Sequence, residues 1–417
     1  MRVLVITNLY PPHQRGGYEL RCKQVVDQLI NRGHEVEVLT SVCDDRNCQL
    51  HPDEKKVYRK LHNIHEVETR YKKAITIISD LREMNNRIKK FKPDIVYLWH
   101  MTSFTKSIIP FLAGIRARLV WDEGGRGLSY FWNNHGAWHN FLVNSEDSIV
   151  KRLIREIIKI GFILVSGGLL KAEWQWPENM VGYFNSEMGL RYAQNAGVPT
   201  EGFGVIHSGI DLDLFPLKKF KDEIHQMNLL IPGRIESVKG QRDGVELLYH
   251  LIKREIPAYL TIVGHVHSGE YYGDIMRYIE ENQLGSNITI RPMVNYDVMS
   301  DLYRQADICF FPSKQDMGFS RIPLEAMASG CLMITYGNEG SNEVIINNET
   351  GFIVSEGDYE GIVSIIQEVI DSPVKYRKIC RDARKMVEQN FSMEIYVNEI
   401  EIFLLSTIEG NIFNEDI

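Results

Sequence analysis

The sequence predicts an α/β protein made of two doubly wound domains that face a central cleft. The chain has 417 residues, which is more than one hydrophobic core usually holds. Short apolar runs alternate with longer amphipathic stretches along the whole chain, as they do where helices cover both faces of a parallel sheet. The alternation comes in two series, so we expect two sheets, each binding ligands at the carboxyl ends of its strands.

The apolar runs predict the strands of both sheets. Those of the first half are Val3–Thr7, Val36–Thr40, Ile95–Trp99, Leu119–Trp121, Val181–Asn185 and Val205–His207. Those of the second half are Met227–Ile231, Tyr259–Val263, Ile288–Arg291, Ile308–Phe311, Leu332–Thr335 and Phe352–Val354. Stretches between them predict helices, among them Glu19–Arg32, Arg242–Glu255 and Pro323–Ser329.

Turn residues followed by polar ones at Ser208–Lys219 predict the boundary between the two domains. We therefore expect a first domain over residues 1–207 and a second over residues 208–390. Residues 391–417 are predicted to form a C-terminal helix and a loose acidic tail, which can pack back on the first domain.

The composition is that of an ordinary globular protein, with 44% hydrophobic and 24% charged residues. The six cysteines lack the spacing of a zinc site. The first residues do not have the order of regions found in a signal peptide, and no run of about 18 apolar residues suggests a membrane span. We therefore expect a reduced, cytoplasmic protein.

Charge is distributed unevenly along the chain. Residues 1–200 hold 28 basic and 21 acidic side chains, and the remainder holds 19 and 34, which gives the net charge of -8. A basic first half suits an anionic ligand or peripheral contact with the inner face of a membrane. The alternative is an uneven distribution of solvated surface charge. No nucleic-acid-binding motif accompanies the charge, so no nucleic-acid partner is expected.

Two loops that lead from a strand into a helix have the composition of a phosphate site. Gly16 and Gly17 precede the first helix, where a backbone without Cβ atoms can approach a diphosphate. In the loop Pro232–Gly240, Arg234 and Lys239 are close enough in sequence to meet one anionic group. A tight turn at the glycines and two exposed cations in the second loop are the alternatives.

A third loop, Phe311–Gly330, enters a helix that carries Glu325. A carboxylate at this place can accept hydrogen bonds from both hydroxyls of a ribose. The backbone amides of Gly318, Phe319 and Ser320 can meet a sugar or a phosphate. The pattern favours a nucleotide site in the second domain.

In the first half of the chain, His100 and Asp122 each follow a predicted strand. The loop Phe131–His139 interleaves aromatic and hydrogen-bonding side chains, including Trp132 and His135, and such a loop can stack on a sugar ring. Packing of this loop within its own domain is the alternative. For His100 the alternative is a structural histidine.

The segment Ile149–Ile160 places apolar side chains on one helical face and basic ones over much of the rest. The apolar residues are Val150, Leu153, Ile154, Ile157 and Ile158. Such a helix can lie on an anionic membrane. A domain helix whose apolar face is buried is the favoured interpretation.

Taken in order, these motifs resemble those of glycosyltransferase family 4, retaining enzymes with the GT-B fold of two Rossmann-like domains. The matching segments are Gly16–Gly17, RGHEVEVLT at Arg32–Thr40, PDIVYLW at Pro93–Trp99, HSGIDLDLF at His207–Phe215, GRIESVKG at Gly233–Gly240, PLEAMASG at Pro323–Gly330 and ETGFIV at Glu349–Val354. No single segment is decisive, but their joint order over nearly the whole chain is highly specific.

The resemblance implies that a sugar passes from a UDP- or GDP-linked donor to a glycan, lipid-linked or small-molecule acceptor, as in polysaccharide or glycolipid biosynthesis. The donor's anomeric configuration would be kept, and the nucleotide sugar would be the co-substrate without a further cofactor. Arg234 and Lys239 would hold the diphosphate in place of a metal ion, and Glu325 the ribose. Gly16 and Gly17 would approach the donor from the facing domain.

By the same resemblance, Asp122 is the candidate for a polar contact to the reacting sugar. His100 lies one position after the family's usual histidine, a position that Trp99 occupies here. The resemblance also implies that the first domain is the acceptor-side domain, and we assign His100, Trp132 and His135 to the acceptor side.

One departure concerns the donor sugar. The family usually has two glutamates eight positions apart, and counting back from Glu325 gives Met317, which cannot accept hydrogen bonds from sugar hydroxyls as a carboxylate does. Met317 stays among the donor-binding positions, with Asp316, the amides of Gly318–Ser320 or a different donor sugar as compensation. A damaged enzyme or a non-catalytic sugar-nucleotide-binding protein is one alternative to a transferase, and a sugar-nucleotide epimerase is another.

Overall fold

The structure is a computed structural model that describes residues 1–13, 17–42, 56–63, 70–143, 148–315 and 318–410. The chain forms two compact units. The first unit contains the described residues of Met1–Asn185 and Gly189–Ile206, together with residues 397–410. The second unit contains Ser186–Met188 and the described residues of His207–Tyr396.

The first unit is built on a parallel sheet with the strand order β3-β2-β1-β4-β5-β6-β7. The strands are β1 (Arg2–Thr7), β2 (Glu35–Ser41), β3 (Val57–Leu61), β4 (Ile95–Trp99), β5 (Arg118–Glu123), β6 (Met180–Phe184) and β7 (Phe203–Val205). The helices in this part of the chain are α1 (Gly17–Asn31), α2 (Arg70–Phe91), α3 (Ile108–Leu112), α4 (Gly127–Trp132), α5 (Gly136–Val143), α6 (Ile149–Ser166) and α7 (Glu187–Asn195).

The second unit has a parallel sheet with the order β10-β9-β8-β11-β12-β13. Its strands are β8 (Met227–Pro232), β9 (Ala258–Val263), β10 (Ile288–Arg291), β11 (Ile308–Phe311), β12 (Leu332–Thr335) and β13 (Phe352–Ile353). The remaining helices are α8 (Gln241–Lys253), α9 (Gly269–Glu281), α10 (Tyr296–Gln305), α11 (Ile322–Ser329), α12 (Tyr359–Asp371), α13 (Pro373–Asn390) and α14 (Met393–Glu409).

The burial pattern of β8 shows why its sequence is almost wholly apolar. Leu229 and Ile231 belong to the core on one face of the sheet, and Leu230 belongs to the core on the other. Successive side chains of a strand point to opposite faces, and helices cover both faces here, so both sets must be apolar. The prediction of two doubly wound α/β domains is confirmed, and every predicted strand overlaps an observed one.

The second half of α14 packs in the first unit. The Glu401 carboxylate lies 2.5 Å from Arg32 Nη1 and 2.6 Å from His34 Nε2. The Phe403 ring meets the Tyr183 ring edge-on, with the centroids 5.7 Å apart. The acidic tail predicted after this helix lies outside the described residues.

The favoured interpretation of Ile149–Ile160, a helix with a buried apolar face, is wrong. The segment is helical as part of α6, but Val150, Leu153, Ile154 and Ile157 are each more than half exposed. The residues of α6 that are buried are polar, namely Arg155 and Ser166. Across the described residues, no helix combines the length and apolar character that crossing a bilayer requires.

Candidate functional site

The loop between β8 and α8 is held against the loop that follows β11. Gly240 has a left-handed backbone with φ 69°, and a Cβ atom there would lie 2.1 Å from the carbonyl oxygen of Pro312. The backbone N–H of Lys314 donates to the carbonyl of Val238 at 2.8 Å. The residues around Lys239 are thereby fixed at the carboxyl end of the sheet and the amino end of α8, where phosphates bind in folds of this kind.

Lys239 is mostly buried and paired. Its side chain is 13% exposed, and its Nζ contacts the buried carboxylate of Glu339. The Ser313 hydroxyl donates to the same carboxylate oxygen at 2.6 Å. Loops after β8, β11 and β12 thus meet around one cation. The sequence analysis did not assign a role to Glu339. Its position after a predicted strand and beside Gly340 is the feature that could have identified it as a site residue.

Arg234 has a different partner from Lys239. Its side chain is 56% exposed, and its Nη2 lies 2.9 Å from Glu236 Oε1. The structure places both predicted cations on one loop and gives each a carboxylate of its own. That they bind the same anion stays a prediction.

Glu325 lies at the start of α11 and is buried. The Tyr303 hydroxyl donates to its Oε2 at 3.0 Å, and Arg321 Nε lies 3.8 Å from its Oε1. Burial raises the pKa of Glu325, and the nearby Arg321 and the hydrogen bond from Tyr303 act in the opposite direction. Tyr303 and Arg321 were missed by sequence reasoning. The ribose contact of Glu325 stays a prediction.

The loop that precedes α11 is described from Gly318 onward. Gly318 has φ 96°, and its carbonyl accepts a hydrogen bond from the Ser186 hydroxyl at 3.3 Å. The Phe319 ring lies 5.5 Å from the His207 ring, and the Ser320 hydroxyl accepts from the backbone N–H of Ile322 at 3.4 Å. Three other predicted positions, Gly16, Asp316 and Met317, lie outside the described residues, and Gly17 is the first residue of α1.

Next to this loop, His207 and Glu343 form a pair that was not predicted. His207 Nε2 lies 2.8 Å from Glu343 Oε2, and the backbone N–H groups of Glu187 and Met188 donate to the same carboxylate at 2.9 and 3.0 Å. Burial alone would raise the pKa of Glu343, but the hydrogen bonds from His207 and the two amides outweigh it and lower the pKa below its usual range.

We expect Glu343→Gln to lower the free energy of unfolding by about 1.5–3 kcal/mol near neutral pH, because hydrogen bonds to a charged carboxylate are lost. The pKa of Glu343 is lower in the folded than in the unfolded protein. This contribution is therefore present above the unfolded pKa and is lost as pH falls through the folded one. Urea unfolding at a series of pH values should show the gap to wild type closing on acidification. Glu349→Gln, at an exposed site, is the control, and a gap independent of pH would contradict the assignment.

In the first unit, a cavity of about 250 Å³ opens at the carboxyl ends of β4 and β5. Its lining includes Tyr18, His100, Asp122 and the glycine-rich stretch Gly124–Gly127. The structure therefore brings together two of the predicted residues, His100 and Asp122. Glycines leave room for a ligand to approach the backbone at this point.

Asp122 is buried at the base of this cavity. Its Oδ1 lies 2.6 Å from Arg21 Nη2 and accepts a hydrogen bond from the Tyr18 hydroxyl. The carboxylate is thus held by groups of the protein interior, and the geometry favours a role through Tyr18 and Arg21. A direct contact of Asp122 with the reacting sugar stays a prediction.

The neighbouring carboxylate, Glu123, stabilises the start of α4. It accepts hydrogen bonds from the backbone N–H groups of Gly125, Gly127 and Leu128 at 2.7, 3.2 and 2.6 Å. Burial raises its pKa, although these amides act in the opposite direction. The amides at the start of α4 are therefore satisfied by the protein itself.

His100 has an unusual backbone and one unsatisfied ring nitrogen. Its φ is 43°, and its Nδ1 is buried without a hydrogen-bond partner among the described residues, 3.7 Å from Glu19 Oε1. The ring lies 5.1 Å from that of Tyr18 and is 38% exposed. A left-handed backbone at a residue other than glycine is often found at functional sites. Glu19 was not predicted as its neighbour.

Trp132 and His135 pack in an aromatic cluster of the first unit. The Trp132 ring meets Trp176 edge-on at 5.3 Å, and the His135 ring stacks on Trp174 at 4.5 Å. Neither belongs to the lining of the cavity that contains His100. These contacts favour the packing alternative for the loop Phe131–His139, and an acceptor contact of either residue stays a prediction.

No group of three or more His, Cys, Asp or Glu side chains in the described part of the chain is placed to hold a metal ion.

Comparison with known proteins gives relatives over the whole chain. Glycogen synthase of Mycobacterium tuberculosis is 22% identical over 94% of this chain and 92% of its own length. The capsular polysaccharide biosynthesis glycosyltransferase CapM of Staphylococcus aureus is 28% identical over 48% of this chain and 53% of its own length. A solved structure of Anabaena HepE in complex with UDP-glucose has a TM-score of 0.67 and 17% identity over 97% of this chain and all of that one.

Two family profiles match the chain in the order of its two sheets. The profile described as Glycosyltransferase Family 4 matches residues 15–166, and the profile described as Glycosyl transferases group 1 matches residues 218–386. Together the matches span about three quarters of the chain. The fold of two parallel-sheet units agrees with them. The chain belongs to glycosyltransferase family 4 and has the GT-B fold.

Proposed function

We propose that this glycosyltransferase moves a sugar from a UDP- or GDP-linked donor to a glycan, lipid-linked or small-molecule acceptor, with retention of the anomeric configuration. The observation that carries the proposal is Lys239, held at the amino end of α8 and balanced by the buried Glu339. A diphosphate that binds there can take the place of the Glu339 carboxylate. The HepE structure with UDP-glucose supports a nucleotide-sugar donor, and CapM, a glycosyltransferase of capsular polysaccharide biosynthesis, supports a role in polysaccharide synthesis.

In this proposal the chain's main task is to stabilise the leaving group. The bond between the anomeric carbon and the donor phosphate breaks, and negative charge accumulates on the diphosphate. Lys239, Arg234 and the amides at the start of α8 stabilise that charge. The acceptor hydroxyl attacks from the face that the phosphate leaves, and its proton passes to the departing phosphate oxygen, so orientation supplies much of the rate.

The cavity of the first unit is proposed to orient the reacting sugar. His100 would meet it directly with its exposed ring edge, whereas Asp122 would act as a positioning residue through Tyr18 and Arg21. In the second unit, Gly318–Ser320 would present backbone groups to the donor, and Glu325 would bind the ribose. Gly16 and Gly17 are proposed to approach the donor diphosphate, as the family resemblance implies.

The reaction can be tested without knowing the acceptor. Incubation with UDP- and GDP-linked hexoses should give slow hydrolysis of the matching donor, and NMR of the released sugar should show the donor's anomeric configuration first. We expect turnover to persist in EDTA. If a donor bound tightly but no donor were turned over, the result would instead support a sugar-nucleotide sensor. Conversion of the donor to a stereoisomer in the absence of an acceptor would support an epimerase.

For the ribose contact, we expect Glu325→Ala to raise the dissociation constant of the matching nucleotide by about tenfold or more, because two hydrogen bonds to a carboxylate are lost. Isothermal titration calorimetry measures this directly. Tyr303→Phe removes the hydrogen bond to Glu325 but keeps the carboxylate, so it should have the smaller effect. An unchanged dissociation constant in a folded Glu325→Ala protein would contradict the ribose role.

A further inference from the structure

Helix α6 exposes a continuous apolar stripe to solvent. Ile149, Leu153, Ile157, Ile160 and Leu164 follow one another at spacings of three or four residues, and each is between 55% and 77% exposed. At 1.5 Å per residue the stripe is roughly 22 Å long. Val143, the last residue of α5, is also exposed. A stripe of this size on a water-soluble surface usually marks an interaction site.

The face of α6 that contacts the protein is the more polar one. Arg155 is buried, and its Nη1 donates to the Leu142 carbonyl at 3.4 Å. Ser166 is also buried, and the Phe162 ring packs on Trp138 with the centroids 5.6 Å apart. An ordinary surface helix is arranged the other way round, with its apolar side toward the core. The outward stripe is therefore not explained by packing within the unit.

The charge of α6 suits an anionic bilayer. The helix has four basic residues, Lys151, Arg152, Arg155 and Lys159, and one acidic residue, Glu156. Val150, Ile154 and Val165 are also more than half exposed and widen the apolar face on one side of the stripe. At 100° per residue, the exposed Lys151 and Arg152 lie at the two edges of this wider face, as basic residues do in helices that rest in a membrane interface. Glu146 and Asp147 precede the helix in sequence and offset part of this charge. Two copies of α6 packed in parallel would bring like charges side by side.

A second basic region lies near the end of α6. Arg82 on α2 donates to the Val165 carbonyl, and farther along the chain Lys89, Lys92, Arg116 and Arg118 line an open groove, with Asp94 as the acidic residue of that lining. A Cβ atom on Gly114, also in the groove, would lie 4.0 Å from Lys171 Cε. Stable attachment of a peripheral protein generally needs two signals, such as an apolar insertion and a basic patch.

We propose that α6 is a membrane-docking helix that lies in the interface of an anionic phospholipid bilayer with its apolar stripe toward the acyl chains. The basic residues on its flanks, helped by the groove, meet the lipid phosphates. The proposal goes beyond the transfer reaction and does not depend on the identity of the donor or the acceptor.

Sedimentation of the full chain with extruded vesicles tests the proposal. We expect the chain to bind vesicles of equal parts phosphatidylcholine and phosphatidylglycerol, to bind phosphatidylcholine alone much less, and to dissociate as salt is raised. The double variant Leu153→Ser/Ile157→Ser should lower the partition coefficient at least tenfold. Met293→Ser/Val374→Ser is the matched control, because both side chains are 71% exposed outside α6, and it should bind as wild type does.

Three results would overturn the proposal. The first is that the wild-type chain binds neither kind of vesicle. The second is that the Leu153→Ser/Ile157→Ser variant binds as well as wild type does. The third is that light scattering shows a dimer for wild type and a monomer for this variant. The last result would assign the stripe to a second copy of the chain. Donor hydrolysis by the variant, measured without vesicles, should equal that of wild type, so failure of docking and failure of the transferase proposal are distinguishable.

Discussion

Lys239→Ala should lower turnover by roughly 30- to 1000-fold. The lysine lies at the amino end of α8, where the leaving diphosphate gains its negative charge in the proposed reaction. Loss of one charge-assisted contact to such a group costs about 2–4 kcal/mol of transition-state stabilisation. The measurement is donor hydrolysis, or transfer once an acceptor is known. Arg234→Ala should also lower turnover.

A stability effect must be separated from this loss. Removing Lys239 leaves the Glu339 carboxylate buried without its cation, and an unpaired buried charge destabilises the fold. The double variant Lys239→Ala/Glu339→Gln removes both charges, so it should regain much of the stability and none of the turnover. If this double variant regained wild-type turnover, the loss would come from the unpaired carboxylate, and the phosphate role of Lys239 would be wrong. Lys375→Ala, an exposed lysine paired with Glu368, is the control for charge alone.

Gly240→Ala should cost about 2–5 kcal/mol of unfolding free energy. The residue has φ 69°, and its new Cβ would lie 2.1 Å from the backbone oxygen of Pro312. The left-handed backbone alone costs about 1–2 kcal/mol for alanine. The overlap adds to this because a backbone oxygen held in the loop after β11 cannot turn away as a side chain can. Urea unfolding measures the change.

The control for Gly240 is Gly357→Ala. Gly357 has φ 78°, and a Cβ atom there would have no heavy atom within 4 Å, so it should cost only the backbone term of about 1–2 kcal/mol. Equal losses in the two variants would show that the loop after β11 yields to the new atom. Because Lys239 is the neighbour of Gly240, we also expect the folded fraction of Gly240→Ala to turn over donor more slowly.

The strands were predictable because both faces of each sheet are covered. Buried parallel strands such as β4, where every side chain is buried, read as continuous apolar runs. The missed strand β3 lies at the edge of its sheet and has one buried residue, Leu61. Its sequence, VYRKL, lacks the apolar run that identified the others. An edge strand with exposed basic residues is common in proteins that avoid pairing with other chains.

The orientation of α6 could not be predicted from its sequence. Helical periodicity shows which residues share a face, as Leu153 and Ile157 do, but does not show which face the rest of the protein covers. The prediction assumed that the rest of the protein covers the apolar face of α6, and this assumption was wrong.

The loops proposed to bind the donor were predictable from the sequence, but the residues that pair with their side chains were not. Arg234, Lys239 and Glu325 follow strands at sites where ligands bind to parallel sheets. Glu339 is 100 positions from Lys239, and Glu343 is 136 positions from His207. Such pairs depend on the order of strands in the sheet and on the conformation of three loops. A single sequence carries no direct signal for either.

The packing of Glu401 and Phe403 in the first unit determines when this unit can complete its folding during translation. Their partners Arg32, His34 and Tyr183 are synthesised early, whereas the contact between Arg32 and Glu401 spans 369 positions. At translation rates of about 5–20 residues per second, the stretch between residues 206 and 397 takes roughly 10–40 s to make. Throughout that time the nascent first unit lacks its last helix. The first unit is therefore completed only after α14 has been synthesised, and a transcript cut short before α14 would yield a chain whose first unit lacks this helix.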